Sequence, residues 1–257
     1  MILHKYTKAQ HGLSYLREGF LRFSPISEFN DPFEMRPCID SLGTPAQVEE
    51  TIQEIMDELG ESSLEVKAAL IHQAETETLP LLRVRAHQDL STLGILSLVK
   101  DCPHDLLMWA HYADSHQGCV LEFDGSHEWF KTKHGRNPHD LLGVPREVRY
   151  LPTRPQVSLL GLGRDDLLVK AECWQYEHEW RILLNLRDCT TQTHEGREVT
   201  GLFPVPLEAL TNVYLGVNVD PQTRDQFLAL LPRGHRVGLF QFLLDESDFA
   251  LVARQIN

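Results

Sequence analysis

The chain has 257 residues, of which 42% are hydrophobic and 24% charged, an ordinary composition for a globular protein with a substantial core. Its 37 acidic and 24 basic residues give a formal net charge of −13. Because such a surface repels a phosphate backbone, we expect no general nucleic-acid binding.

Targeting signals and cysteine usage indicate the compartment. No apolar run approaches the roughly 20 residues of a membrane helix, and the first residues lack the basic-then-apolar pattern of a secretory signal. The five cysteines are widely spaced and contain no CxxC pair, which fits reduced thiols rather than a disulfide framework or a zinc site. We therefore expect a cytoplasmic protein without membrane contact.

The first forty residues predict a strand, a short helix, a second strand and a turn. The strand covers Ile2–Tyr6, and the helix covers Gly12–Gly19 with the glycine as its natural end. Phe20–Phe23 predicts the second strand, which Ser24-Pro25 terminates. The turn-rich stretch Glu28–Glu34 follows.

An acidic helical insertion is predicted over residues 44–90. Thr44–Gln47 forms a capping box with proline at the first helical position, and apolar residues keep helical spacing until Gly60. A second box, Ser62–Glu65, begins another helix. No chemistry is visible in this insertion.

From Gly94 onward the pattern is mainly that of short strands. The strand candidates are Ile95–Val99, Gly118–Phe123, Glu147–Leu151, Glu179–Leu186, Asn212–Leu215 and Val237–Leu244. Helical patterns cover Asp105–His116 and the stretch that begins at Asp220. Because strands and helices do not alternate regularly, we predict a single α+β domain over residues 1–257. Its core would be a mixed, mainly antiparallel sheet with flanking helices.

The most informative cluster is the segment from Trp174 to Leu184. If the chain is extended from Glu177, then Glu177, Glu179 and Arg181 lie on one face. Two neighbouring carboxylates repel each other, so the arrangement suits a cationic or hydroxyl-rich ligand. The alternative is a structural ladder in which Arg181 neutralises both acids.

A second cluster covers Met108–His116. On a helix, Met108, His111 and Tyr112 share a face, as do Trp109 and Tyr112, and the rings would form an aromatic wall for a ring-bearing ligand. The alternative is aromatic core packing with a hydrogen-bonded histidine. His111 and His116 are five residues apart, which does not match the spacing of two metal ligands on one helix face, and we expect no metal.

The third cluster is Asn30–Glu34, where the Asn-Asp-Pro sequence is typical of a turn. A structural turn and a ligand contact through Asn30 both remain open. The chain contains no GxxxxGK[ST] loop, no GxGxxG after the first strand and no GxSxG elbow. Nucleotide kinases, Rossmann dehydrogenases and common hydrolases are therefore disfavoured.

The order of these clusters resembles a bacterial and phage family known as domain of unknown function 2971. Its characteristic motifs match Lys5-Tyr6, the Asn-Asp-Pro-Phe-Glu turn, Met-Trp-x-His-Tyr before an apolar strand, and Tyr-Glu-x-Glu-Trp-Arg. Lys170, Trp174 and Leu215-Gly216 fit the same pattern. The resemblance covers nearly the whole chain apart from the insertion and implies no activity. It suggests a setting in phage defence or a toxin system.

A more distant resemblance implies an activity. The first strand, the short helix and Gly19-Phe20-Leu21 are similar to the opening of ADP-ribosyltransferases. Those enzymes also place a Glu-x-Glu pair at the start of a late core strand, which Glu177-His178-Glu179 resembles. The resemblance implies an ADP-ribosyltransferase-like fold and NAD as the substrate, with an acceptor that is unknown.

The same resemblance assigns roles. Glu179 would stabilise the positive charge that develops on the ribose, and Glu177 would orient or deprotonate the acceptor. One of His4, Lys5 and Tyr6 would contact the adenosine side, and the middle element of the motif would be Ser24 or a residue near Tyr112. With the aromatic wall, the expected NAD-binding residues are His4, Lys5, Tyr6, Ser24, Asn30, Trp109, His111, Tyr112 and Arg181.

Two other readings compete with an NAD-using enzyme. The first is a non-enzymatic module that binds a small nucleotide or a partner protein through the same cleft. The second is a metal-dependent hydrolase that uses His111, Asp114 and His116. An enzyme should lose turnover and keep its fold when Glu179 becomes Gln, whereas a structural ladder should lose stability.

Overall fold

The structure of the chain is a computed structural model that describes residues 1–101, 103–132, 143–194 and 197–257. Of the five cysteines, Cys102 lies outside the described residues, and the other four are free thiols. The chain divides into two units, each discontinuous in sequence. The larger unit contains Met1–Ser24, Gly94–Val148 and Gln175–Asn257, and the smaller one contains Pro25–Leu93 and Arg149–Trp174. The single domain remains a prediction.

The predicted elements are present, the predicted strand Glu147–Leu151 is divided into two, and further short elements lie between them. The α-helices are α1 (Ala9–Glu18), α2 (Pro45–Leu59), α3 (Leu64–Gln73), α4 (Leu79–Leu90), α5 (Leu106–Tyr112), α6 (Glu128–Lys131) and α7 (Pro221–Leu230). The strands are β1 (Ile2–Thr7), β2 (Phe20–Arg22), β3 (Ser24–Pro25), β4 (Cys38–Ser41), β5 (Leu93–Lys100), β6 (Cys119–Asp124), β7 (Arg146–Glu147), β8 (Arg149–Leu151), β9 (Gln156–Ser158), β10 (Val169–Ala171), β11 (Glu179–Asn185), β12 (Thr190–His194), β13 (Arg197–Pro204), β14 (Leu210–Leu215), β15 (Gly238–Leu244) and β16 (Leu251–Gln255). A π-helical turn, Ala74–Thr78, joins α3 to α4.

The larger unit is built on a mixed sheet with the strand order β16-β15-β14-β6-β1-β5-β11-β7. Strand β1 pairs antiparallel with both β5 and β6, and β6 pairs antiparallel with β14. Strands β14 and β15 are parallel. A separate sheet of three strands has the order β12-β13-β2. This architecture confirms the predicted α+β class with a mainly antiparallel sheet and flanking helices.

Alternation along β1 gives the sheet two buried faces. Leu3 belongs to the larger apolar cluster together with Leu121, Phe123 and Ile182. Tyr6 belongs to a second cluster, whose buried members are Tyr6, Val99, Met108, Trp109, Ala113, Val120, Phe242 and Leu251. Because side chains alternate, His4 lies on the same face of β1 as Tyr6. The second face carries His4 and, opposite it on β6, Glu122.

Helix α5 is shorter than the predicted Asp105–His116. It begins after Asp105, whose carboxylate accepts hydrogen bonds from the backbone of Leu107 and Met108, both at 2.9 Å. It ends at Tyr112 because Asp114, Ser115 and His116 all have positive φ angles, between 51° and 66°. Left-handed backbone cannot continue a right-handed helix, so the chain turns here into β6.

The smaller unit contains the predicted helical segment. The capping box of α2 is formed as expected: the Gln47 backbone N–H donates to Thr44 Oγ1 at 3.3 Å, and the Thr44 N–H donates to Gln47 Oε1 at 2.9 Å. The unit also contains two short parallel pairs, β4–β9 and β8–β10. No helix within the described ranges of the chain is long and apolar enough to cross a membrane.

Candidate functional site

Three charged side chains lie at the start of β11. Glu177 ends a 3-10 turn, and Glu179 and Arg181 lie on one face of the strand. All three are almost completely buried, with exposed fractions of 2%, 3% and 0%. His178 has a φ of 43°, so the extended segment begins at Glu179 and not at Glu177 as the sequence pattern suggested. Glu177 therefore reaches its partners from the turn.

Arg181 holds both oxygens of the Glu179 carboxylate. Its Nε donates to Oε1 and its Nη2 donates to Oε2, each at 2.8 Å. This fork is the strongest geometry for an arginine–carboxylate pair, and it fixes the orientation of Glu179. The alternative of a structural ladder, in which Arg181 neutralises both acids, is therefore observed in part, because Arg181 neutralises Glu179.

Tyr112 links the second cluster to the first. Its hydroxyl donates to Glu177 Oε1 at 2.5 Å. Burial, together with the negative charge of the hydrogen-bonded Glu177, raises the pKa of Tyr112 well above its usual value. The hydroxyl therefore remains protonated and remains a donor to Glu177.

Lys5 brings a second cation into this part of the larger unit. Its ammonium donates to the backbone oxygen of Ser97 at 3.1 Å. Burial lowers the pKa of Lys5 from 10.5 to about 8, although the nearby negative charge of Glu179 raises it in part. The structure thus brings together Lys5, Tyr112, Glu177, Glu179 and Arg181.

His4 has a different set of partners. Its Nε2 lies 3.3 Å from Glu122 Oε2, and Tyr214 donates to the same oxygen at 2.7 Å. Thr211 and Asn212 donate to Glu122 Oε1 at 2.6 and 2.5 Å. Burial alone would raise the pKa of Glu122, but these four hydrogen bonds lower it to about 2. Glu122 is therefore ionised although it is only 7% exposed.

The sequence interpretation missed Glu122 and its partners on β14. A signal was present, because Glu122 is the single charged residue within the apolar run Cys119–Phe123. A buried carboxylate in such a strand needs hydrogen-bond donors from neighbouring strands. The identity of those donors depends on the register of β6 with β14, which the sequence does not give.

The remaining aromatic residues surround the same face. Trp109 is fully buried, donates from Nε1 to the Pro103 oxygen at 2.8 Å and contacts Tyr6 edge-on at 5.6 Å. His111 is exposed, and its ring centroid lies 6.5 Å from that of the half-buried Tyr176. Trp109 and Tyr6 are thus packed in the core, while His111 and Tyr176 reach the surface.

Two predicted binding residues are not among the residues of these contacts. Ser24 is half-buried in β3 of the larger unit. Asn30 is exposed in the smaller unit, beside the turn in which Asp31 Oδ1 accepts from the Phe33 backbone at 2.8 Å. Within the described ranges, no group of three or more His, Cys, Asp or Glu side chains is arranged to hold a metal ion.

The comparisons with known proteins add one partial match. The family model described as "Protein of unknown function (DUF2971)" matches residues 108–182, a stretch that contains Tyr112, Glu177, Glu179 and Arg181. No curated protein and no solved structure matches the chain. The stretch from α5 to the first half of β11 is therefore similar to this family, which supports the first resemblance stated above.

Proposed function

We propose that the chain is an NAD-using, ADP-ribosyltransferase-like enzyme whose carboxylates are Glu177 and Glu179. The observation that carries this proposal is the burial of both carboxylates where the chain enters β11, one held by Tyr112 and the other by Arg181. Burying charged groups is costly, and such clusters of titratable groups are concentrated at functional sites.

The proposed transfer gives the two carboxylates different roles, and Glu179 and Glu177 have different environments. When the bond between nicotinamide and the ribose breaks, nicotinamide leaves with the bonding electron pair and positive charge develops on the ribose. Glu179, fixed by Arg181, stabilises this charge and holds a ribose hydroxyl. Glu177 takes the proton of the acceptor as the acceptor forms the new bond to the ribose.

Other side chains of the larger unit have positioning roles in this proposal. Tyr112 orients Glu177 through the hydrogen bond from its hydroxyl. The rings of His111, Tyr112 and Tyr176 provide a partly exposed aromatic surface for the nicotinamide. Lys5, close to Glu179, provides a positive charge for the diphosphate of NAD.

The test measures NAD binding by calorimetry and nicotinamide release by chromatography on the same samples. Wild type should bind NAD and release nicotinamide. Glu179→Gln should keep binding within about threefold and lose release by about 100-fold, the effect of removing one group that stabilises transition-state charge. Glu177→Gln should lose transfer to the acceptor, while slow hydrolysis of NAD continues.

The matched control is Glu246→Gln, which changes an exposed glutamate of the same unit. It should behave as wild type in both measurements. The proposal is overturned if folded wild type neither binds NAD nor releases nicotinamide. It is also overturned if Glu179→Gln, measured at a temperature where it is folded, releases nicotinamide as fast as Glu246→Gln.

One observation favours a second candidate, a non-enzymatic module that binds a nucleotide. Both oxygens of Glu179 are occupied by Arg181, which reduces the negative charge available to a developing cation. In that case wild type would bind NAD without release of nicotinamide. The two measurements above therefore separate the two candidates.

A further inference from the structure

The smaller unit contains a cavity of about 200 Å³ that the proposed function does not use. Its walls come from the turn-rich segment that contains Asp31 and Cys38, from residues 151–155, from Asp166 and from residues 169–171. The Asn-Asp-Pro-Phe-Glu sequence thus forms part of a cavity wall in addition to a turn. A concave site with convergent polar groups is where a small ligand is expected to bind.

A buried ion pair lines the cavity. Lys170 Nζ lies 3.5 Å from Glu34 Oε2, and the side chains are 6% and 2% exposed. The ammonium also lies 5.1 Å from the ring centroid of Trp174. Because the two charges compensate each other, this part of the wall contributes little net charge.

The other two acidic side chains of the wall already serve the backbone. Asp31 Oδ1 accepts the Phe33 N–H, and Asp166 Oδ2 accepts the Gly163 N–H, both at 2.8 Å. Both carboxylates are turn- or cap-forming groups of the chain. Their role in the fold is therefore explained without a cationic ligand.

Two arginines of the wall, Arg36 and Arg154, are exposed, and no carboxylate of the described residues forms an ion pair with either guanidinium. Arg154 donates from Nη2 to the backbone oxygen of Arg36, and its guanidinium lies 5.1 Å from the ring centroid of Phe33. These contacts hold the guanidinium of Arg154 in place. Neither Arg36 nor Arg154 forms an ion pair within the part of the chain that the structure describes.

The positive charges of Arg36 and Arg154 also act on a histidine of a neighbouring helix. Burial lowers the pKa of His87, on α4, and the charges of Arg36 and Arg154 lower it further. The pair is notable in a chain with a net charge of −13. Local positive charge on an acidic protein attracts anions selectively to that place.

We propose that this cavity binds a small phosphomonoester, with the phosphate on Arg36 and Arg154 and the organic part against the apolar wall. That wall includes Met35, Pro37 and Leu151. Two guanidinium groups match the charge of a phosphomonoester dianion, and a fixed planar fork suits its oxygens. A monoanion of the same shape would be attracted less strongly by the two guanidinium groups.

The test uses phenyl phosphate as the probe and phenyl sulfate as the monoanionic comparison, with calorimetry on the full chain. Phenyl phosphate should bind one to one and at least fivefold more tightly than phenyl sulfate. Arg36→Gln and Arg154→Gln should each weaken phenyl phosphate binding at least tenfold, which corresponds to about 1.4 kcal/mol. Both side chains are exposed, so neither variant should lose its fold.

The matched control is Arg85→Gln, which removes a 71% exposed arginine of α4 that pairs with Asp89 outside the cavity. It should change the affinity less than twofold. The proposal is overturned if wild type shows no saturable binding up to about 10 mM phenyl phosphate, or if Arg85→Gln weakens binding as much as Arg154→Gln. Glu179→Gln should bind phenyl phosphate as wild type does, so this result is independent of the NAD experiment.

Discussion

The imidazole of His4 and the carboxylate of Glu122 face each other from neighbouring strands, with Nε2 of His4 3.3 Å from Oε2 of Glu122. Strand β14, on the other side of β6, adds the hydroxyls of Thr211 and Tyr214 and the amide of Asn212. One buried carboxylate thus connects three strands of the sheet. Its contribution to stability should be large and should depend on pH.

We predict that the stabilisation by Glu122 disappears in acid. Its pKa is about 2 in the folded chain and 4.5 ordinarily, so the unfolded chain takes up the proton first as the pH falls. The stabilisation is therefore complete above pH 4.5 and is lost as the pH falls from 4.5 towards 2. Urea denaturation at a series of pH values measures this loss directly.

The variant Glu122→Gln isolates the effect. It should lower the free energy of unfolding at pH 7 by about 1–3 kcal/mol, because charge-assisted hydrogen bonds are lost and donors are left poorly paired. Between pH 4.5 and 2 its stability should fall less steeply than that of wild type. A Glu122→Gln curve that parallels the Glu246→Gln control throughout would contradict the prediction.

Local signals in the sequence predicted the boundaries of many elements. The Thr44–Gln47 capping box marks the start of α2, and Gly19, which has a φ of 74°, marks the end of α1. Both signals consist of residues next to the helix end in sequence. The hairpin of β12 and β13 was not predicted. Its strands lack apolar alternation, and β13 is placed by its pairing with β2, far away in sequence.

The candidate site was predictable only in part, because it also depends on pairing between strands that are far apart in sequence. Glu177, Glu179 and Arg181 are neighbours in sequence, so their association could be inferred from the pattern itself. The partners of Glu122 on β14 are 89 to 92 residues away. Which donors reach a given carboxylate is decided by sheet order and register, and these depend on the packing of the whole unit.

The second prediction concerns Lys5 in alkali. Its pKa is about 8 in the folded chain and 10.5 ordinarily, so the folded state releases the proton first. Between pH 8 and 10.5 the unfolded state binds more protons, and this group makes stability rise with pH. The midpoint of urea denaturation, compared between wild type and Lys5→Met, measures the effect. Relative to the variant, wild type should gain stability across this interval, and two parallel curves would refute the prediction.

The third prediction concerns the buried pair of Glu179 and Arg181. Arg181→Met leaves the Glu179 carboxylate without its fork of hydrogen bonds, and we expect a loss of about 3–5 kcal/mol in the free energy of unfolding. Glu179→Gln keeps one acceptor oxygen, so its loss should be smaller, about 1–2 kcal/mol. The double variant should lose less than the sum of the two. Strict additivity in this cycle would mean that the pair contributes no coupling energy.

The last prediction concerns the backbone between the two carboxylates. His178 has a φ of 43°, and its backbone is held by hydrogen bonds from His178 N to Gln175 O at 3.2 Å and from Lys100 N to His178 O at 3.3 Å. A β-branched residue is strained in this conformation, so His178→Val should lower the free energy of unfolding by about 1–2 kcal/mol. His178→Gly, which accepts positive φ freely, should stay within about 0.5 kcal/mol of wild type.

The same pair of variants tests whether this backbone conformation positions Glu177. If valine forces residue 178 into an extended conformation, Glu177 moves onto the strand and away from the Tyr112 hydroxyl, to which it is now bonded at 2.5 Å. Nicotinamide release should then fall in His178→Val and persist in His178→Gly, measured at a temperature where both are folded. Equal release by the two variants would mean that Glu177 needs no left-handed residue beside it, and Tyr112 alone would account for its position.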